Sequence, residues 1–309
     1  MDNYILVGYG RWGKVVARNF PYNMGLLHIF DGDIPQINSD SLIFYNKHIT
    51  REHINKINPK AIYVATPNKT HADILKEISP SCKVLFEKPS FYNINEYELL
   101  YDSGCKLNHV YCGHIMLQCN GLKLLKKHIN SIKPKEIFIS AFRHNQIGPI
   151  GLDIQCILDL GIHEVSVFVD LLYLLYGKIP SRNIIDINDV LYTQSSNRFA
   201  ANFNLSYNNL HMEVDCNWMG VKRLREYKIT LINRNDDKIE FIWDLDKDIF
   251  TPINYSTNQY LDNFTTERRN NGTNLNKQWT QLSLDVPDNL HDFDDGYYCR
   301  KIIDCYKGD

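Results

Sequence analysis

Three glycines, Gly8, Gly10 and Gly13, follow the apolar run Tyr4-Ile-Leu-Val7 in the spacing G-x-G-x-x-G. A backbone so spaced turns tightly at Gly8, approaches a pyrophosphate closely at Gly10, and lets a following helix lie against the strand at Gly13. The first turn of that helix offers free N–H groups and a partial positive charge to phosphates. Eighteen residues beyond Gly13, a second apolar run, Leu26-Leu-His-Ile-Phe30, ends in Asp31. A carboxylate there accepts hydrogen bonds from a ribose diol and repels a 2′-phosphate. The order of strand, glycines, helix, strand and acid predicts a dinucleotide-binding βαβ unit with NAD as its cofactor. The plainer alternative is an α/β glycine turn that binds nothing.

Three further groups of residues carry chemistry. Ala65-Thr66-Pro67-Asn68-Lys69-Thr70-His71 follows a fourth predicted strand, and Phe86-Glu87-Lys88-Pro89 closes a fifth. Asp159-Leu-Gly161-Ile-His163 lies inside a long helical pattern. In open α/β sheets, ligands collect at the carboxyl ends of strands. Taken singly, each group also has an ordinary structural explanation: a capped helix start, a surface ion pair, and a histidine satisfied in the core.

The elements that must position these residues are readable from periodicity. Strands are predicted at 4–8, 26–31, 42–46, 61–65, 83–87 and 109–113, with helices at 12–20, 50–57, 70–78 and 94–102 between them. That alternation implies a parallel sheet covered by helices. Helices at 120–130 and 153–176 flank a strand at 135–142. Strands then follow without helices at 183–193, 198–207, 210–218, 225–233 and 238–244, which implies an antiparallel sheet. Residues 252–290 are polar and weakly patterned and read as a long surface loop, before helical signal returns at 294–306. The expected architecture is an α/β Rossmann domain over 1–116, then an α+β domain over 117–309 with a large, mainly antiparallel open sheet. The C-terminal helix is expected to pack back on the first domain.

Composition narrows the partners. The chain has 309 residues, 44% hydrophobic and 23% charged, with a formal net charge of -2. It carries no basic block for a phosphate backbone and no apolar run of membrane-spanning length, so neither nucleic acid nor a membrane is an expected partner. Met1-Asp2-Asn3 lacks the basic start of a secretion signal, and the expected compartment is the cytoplasm. The eight cysteines include no C-x-x-C pair, and Cys112 and Cys119 with His109 and His114 match no common metal-ligand spacing. No metal site is expected.

Taken together, the four motifs resemble those of the glucose-fructose oxidoreductase, inositol dehydrogenase and rhizopine-catabolism (Gfo/Idh/MocA) family of NAD(P)-dependent oxidoreductases. That family shows G-x-G-x-x-G, T-P-N-x-x-H, E-K-P and D-x-G-x-H in this order. The resemblance spans residues 1 to about 245. It implies cofactor contacts from Gly8, Gly10, Arg11, Trp12, Gly13, Asp31, Thr66, Pro67, Asn68, His71, Glu87 and Lys88. It also implies that Lys88, Asp159 and His163 line the substrate pocket at the nicotinamide. Hydride transfer to or from a secondary alcohol needs a proton carrier, and Lys88 and His163 both remain candidates.

A narrower resemblance is to the branch acting on nucleotide-linked sugars, the 3-dehydrogenases and 3-ketosugar reductases that serve surface polysaccharide biosynthesis. It rests on Gly113-His114, Asn120, Arg143-His-Asn145, Asp153 and the stretch Trp218 to Arg225. By that resemblance His114, Arg143, Asn145, Asp159, His163, Lys222 and Arg225 contact the substrate. A free polyol or inositol dehydrogenase and a non-catalytic dinucleotide sensor are the alternatives. Phe199, Phe203, Leu205 and Tyr207 on one predicted strand, with Val214, Cys216 and Trp218 on the next, give an apolar sheet face. This face is expected to pair with a second copy, giving a homo-dimer or homo-tetramer.

Overall fold

The computed structural model describes residues 1–21, 23–33, 42–79, 81–144, 154–177, 186–195, 198–217, 223–255 and 273–304, with side chains at 154–160, 186–195, 198–201 and 254–255 left out. The strands in chain order begin with β1 (Asp2–Val7), β2 (Gly25–Asp31), β3 (Leu42–Asn46), β4 (Ala61–Val64), β5 (Lys83–Glu87) and β6 (Val110–Gly113). They continue with β7 (Glu136–His144), β8 (Asp186–Ser195), β9 (Arg198–Tyr207), β10 (Leu210–Asn217), β11 (Leu224–Ile232), β12 (Lys238–Asp244), β13 (Ile249–Tyr255) and β14 (His291–Asp292). The helices are α1 (Arg11–Arg18), α2 (Arg51–Ile57), α3 (His71–Ile78), α4 (Ile94–Asp102), α5 (Asn120–Ile132), α6 (Ile154–Tyr176), α7 (Asn274–Ser283) and α8 (Phe293–Asp304).

The chain divides into two units, Met1–Gln118 with Gly272–Asp309, and Cys119–Asn271. In the first, the sheet order is β14-β6-β5-β4-β1-β2-β3, parallel throughout except for the antiparallel edge strand β14. Read from β3, this is the 3-2-1-4-5-6 order of a dinucleotide-binding sheet. Near-continuous apolar strands such as Tyr4-Ile-Leu-Val7 and Ala61-Ile-Tyr-Val64 are buried on both faces, as parallel strands covered by helices must be.

The segment read as a surface loop departs from that reading. β13 runs on to Tyr255, residues 256–272 lie outside the described residues, and α7 follows. Leu275, Trp279 and Leu282 of α7 enter the core of the first unit, where Trp279 packs edge-to-face against Tyr4 and Phe20 and at a tilt against Tyr63. Burial of that indole face outweighs the polar composition of the helix, and with it residues 272–309 belong to the first unit.

The second unit is a seven-stranded sheet ordered β13-β12-β11-β7-β10-β9-β8. Only β7 and β10 pair in parallel, and every other pairing is antiparallel. Helix α6 covers one face. At Gly161 the helix lies close against the sheet, since a Cβ there would stand 2.7 Å from Phe203 Cζ and 3.7 Å from Cys216 Sγ. Phe203, Leu205, Val214 and Cys216 are therefore the helix-covered core and not a free apolar face. Phe199 and Trp218 lie outside the described side chains. The opposite face carries polar pairs instead: His144 with Asp215 at 2.8 Å, His211 with Glu136 at 3.2 Å, and Lys228 over the Phe142 ring. Strand alternation defines two faces, but only the packing of α6 shows which one is covered.

Candidate active site

In the first unit the site is built around the turn between β1 and α1. Gly8 has φ +95°, a conformation that favours glycine, and its N–H donates to the Phe30 carbonyl at 2.8 Å. A Cβ on Gly13 would stand 2.0 Å from the Gly8 oxygen, so the helix can begin here only with glycine. Around Gly10 a Cβ would meet nothing within 4 Å, which leaves its backbone open to a ligand. Asp31, at the end of β2, accepts the Tyr9 N–H at 2.5 Å on Oδ2 and the Asp33 N–H at 3.0 Å on Oδ1. Each carboxylate oxygen has a second acceptor position for a ribose hydroxyl.

These residues border a cleft of about 430 Å³ that sequence reading only partly anticipated. Gly8, Asp31, Thr66 and Pro67 line it, joined by Ile49 and Ile74, which give it flat apolar walls. Three carboxylates, Asp31, Asp73 and Glu77, stand there against the single lysine Lys47. The cleft fits an adenosine better than a 2′-phosphate. Arg11 and Trp12 are exposed at the start of α1, and Asn68 is half-buried in the short 3-10 turn before α3.

His71 is buried and is not among the residues lining that cleft. Its Nδ1 lies 2.7 Å from the Ser90 carbonyl oxygen and its Nε2 2.9 Å from that of Thr66. Expected as a cofactor contact, it instead ties the turn after β4 to the turn after β5. Burial pulls its pKa down to about 4.

Glu87 is buried at the end of β5. The Tyr63 hydroxyl donates to it, the Trp12 indole N–H donates to it, and the Lys88 N–H donates to Oε2 at 3.1 Å. Burial raises its pKa above 4.5 despite those donors. Tyr63 Oη also lies 3.1 Å from the buried Gln278 amide. The atom at that distance is Gln278 Oε1, so Glu87 and Gln278 share the single Tyr63 hydroxyl proton as competing acceptors. Neither Tyr63 nor Gln278 carries a sequence signal for this role. Lys88 itself is half-buried, and the peptide joining it to Pro89 is cis. His114, expected at the substrate, is buried and points to His291.

The second unit holds a separate group. Arg143 on β7 donates from Nη1 to Glu164 Oε1 at 3.0 Å, and both side chains are buried. Expected as a substrate phosphate contact, Arg143 is paired with a carboxylate of α6. Directly opposite Arg143 on β11 stands Arg225. Burial, Arg143 and Arg223 together pull the Arg225 pKa down to about 10. Two arginines in register on neighbouring strands cost stability unless something offsets them, and Asp246, 3.9 Å from Arg225, with Glu164 supplies part of that offset. His163 is buried next to Glu164 on α6. Asp159 lies in the same helix with its side chain outside the described set, and Asn145 and Lys222 lie outside the described residues.

This fold is similar to that of solved oxidoreductases and dehydrogenases. Similar solved structures include UDP-N-acetylglucosamine 3-dehydrogenase from Acidithiobacillus ferrooxidans, 14% identical with TM-score 0.62, covering 98% of this chain and 95% of that one. The myo-inositol dehydrogenase of Lactobacillus casei, solved with NAD(H) and myo-inositol, is 12% identical with TM-score 0.67, covering 98% and 93%. A dehydrogenase from Chromobacterium violaceum is 13% identical with TM-score 0.68, covering 98% and 93%. At these identities the likeness establishes the fold. No family model and no curated protein sequence matches the chain. No helix among the described residues is long and apolar enough to cross a membrane.

Proposed function

We propose that the chain is an NAD-linked oxidoreductase that moves hydride between nicotinamide and a secondary alcohol or ketone of a sugar carried on a nucleotide. The observation that carries this reading is the glycine turn beside an acid-rich cleft, in a sheet whose next strand but one ends in Glu87-Lys88-Pro89.

Gly8, Gly10 and Gly13 would hold the pyrophosphate, Asp31 the adenosine ribose, and Ile49, Ile74 and Pro67 the base. The cofactor, when bound, supplies the hydride acceptor or donor. Glu87 fixes the backbone of Lys88, and Lys88 moves the proton at the substrate oxygen or polarises it while charged. His163 is the alternative proton carrier, with Asp159 orienting it or the substrate. Arg225, crowded by Arg143 and Arg223, supports a phosphate-bearing substrate, because a bound anion relieves the like-charge repulsion. Arg143 then acts through its pairing with Glu164. Homo-dimer or homo-tetramer formation through the open face of the second sheet belongs to the same reading, with exposed Phe138 as its apolar part. The test is nicotinamide oxidation or reduction with UDP- and dTDP-linked sugars, set beside free sugars and polyols.

A further inference from the structure

Three donor side chains that lie far apart in sequence meet inside the first unit. His114 follows β6, His291 begins β14, and Cys299 lies on α8. One ligand atom from each lies within 4.8 Å of the other two, and all three residues are buried. The two imidazoles approach through Nδ1 atoms 2.9 Å apart, with ring planes at 88°. Asp295 and the thiol of Cys112 lie close enough to Cys299 to act on it electrostatically.

We propose that His114, His291 and Cys299 bind one divalent d-block cation of the zinc class. Zinc takes nitrogen at about 2.0–2.1 Å and sulfur at about 2.3 Å in a tetrahedron, so its donors sit roughly 3.3–3.7 Å apart. The histidine nitrogens need to separate by a few tenths of an ångström and the thiol to close in, both within reach of side-chain rotation. Cys299 binds as the thiolate and gives up its proton on binding. Asp295 adds a nearby negative charge. Three protein ligands leave a fourth position open. The cation joins β6, β14 and α8, and so fastens the C-terminal segment to the edge of the parallel sheet. Cysteine spacing in the sequence points away from a metal because the three ligands come from segments 177 residues apart in the His114–His291 contact.

The test uses the untagged full chain, stripped with a chelator and titrated with Zn²⁺ against a competing dye, then with Co²⁺ followed by near-ultraviolet absorption. The expected result is one equivalent per chain, a thiolate-to-cobalt band, and a melting temperature that rises with Zn²⁺. Cys299→Ser removes the band and His291→Ala weakens Zn²⁺ binding by roughly tenfold or more, while Cys105→Ser changes neither. If either variant fails to fold, the wild-type band and its loss on chelation decide the matter. A wild-type chain that binds no Zn²⁺ at micromolar concentration, or that binds Co²⁺ without a thiolate band, overturns the proposal. In that case the two histidines share only a hydrogen bond.

Discussion

Arg143 and Glu164 form an ion pair sealed within the second unit, with Nη1 3.0 Å from Oε1 and almost no exposed surface on either side chain. Removing one partner leaves the other charge buried and uncompensated, which costs about 3–5 kcal/mol. Glu164→Ala is therefore expected to lower unfolding stability by that amount in a denaturant titration. The double replacement Arg143→Met with Glu164→Leu is expected to recover most of it, since paired apolar groups of similar volume often match a buried ion pair. A single variant as stable as the parent contradicts the buried pairing.

Glu87 predicts a pH dependence. Its pKa in the folded chain is raised above 4.5 by burial, so the unfolded chain loses this proton first as pH rises. Through the interval from the unfolded pKa up to the folded one, the unfolded state binds fewer protons, and the contribution of Glu87 to stability falls. Above the folded pKa the penalty is constant. Glu87→Gln removes the charge and leaves a single acceptor oxygen for the Tyr63 and Lys88 donors, which now use Oε1 and Oε2, and the cost of the lost bond is the same at every pH. Its stability relative to the parent is expected to rise with pH from about 4.5 upward, measured by melting at a series of pH values. A difference independent of pH contradicts a raised pKa.

Gly13→Ala tests the phosphate turn. The added methyl meets the Gly8 carbonyl oxygen at 2.0 Å, a backbone atom that cannot step aside. Overpacking of this kind costs roughly 1–3 kcal/mol. NADH affinity measured by fluorescence is expected to fall by about tenfold or more, in line with that energy. Affinity within twofold of the parent would mean that the turn is not the cofactor cradle.

Much of this was legible in the sequence for physical reasons. Short apolar runs bounded by polar or turn-forming residues placed all six parallel strands of the first unit, because buried parallel strands have little freedom of composition. The motif turns sit at strand ends, where ligands gather. Helix α7 was not legible: its core face is only Leu275, Trp279 and Leu282, spaced four and three residues apart within a polar stretch. The partnership of Arg143 with Glu164, and the meeting of His114 with His291, depend on tertiary packing between distant segments, and no local period encodes them.

Cofactor choice follows from the cleft charge. Asp31, Asp73 and Glu77 outnumber Lys47, so NADH is expected to bind more tightly than NADPH. Asp31→Ser is expected to narrow that gap by weakening NADH and relieving the repulsion of a 2′-phosphate. Equal dissociation constants for the two cofactors in the parent chain contradict the assignment.

The most direct measurement of the central claim is the rate of nicotinamide absorbance change with a UDP- or dTDP-linked sugar against the same free sugar, in the parent chain and in Lys88→Met. The account predicts turnover with NAD(H) on the nucleotide-linked sugar, much less on the free sugar, and a loss of about a hundredfold in Lys88→Met with cofactor affinity nearly unchanged. Equal turnover of a free sugar or polyol, or full activity in Lys88→Met, would contradict it.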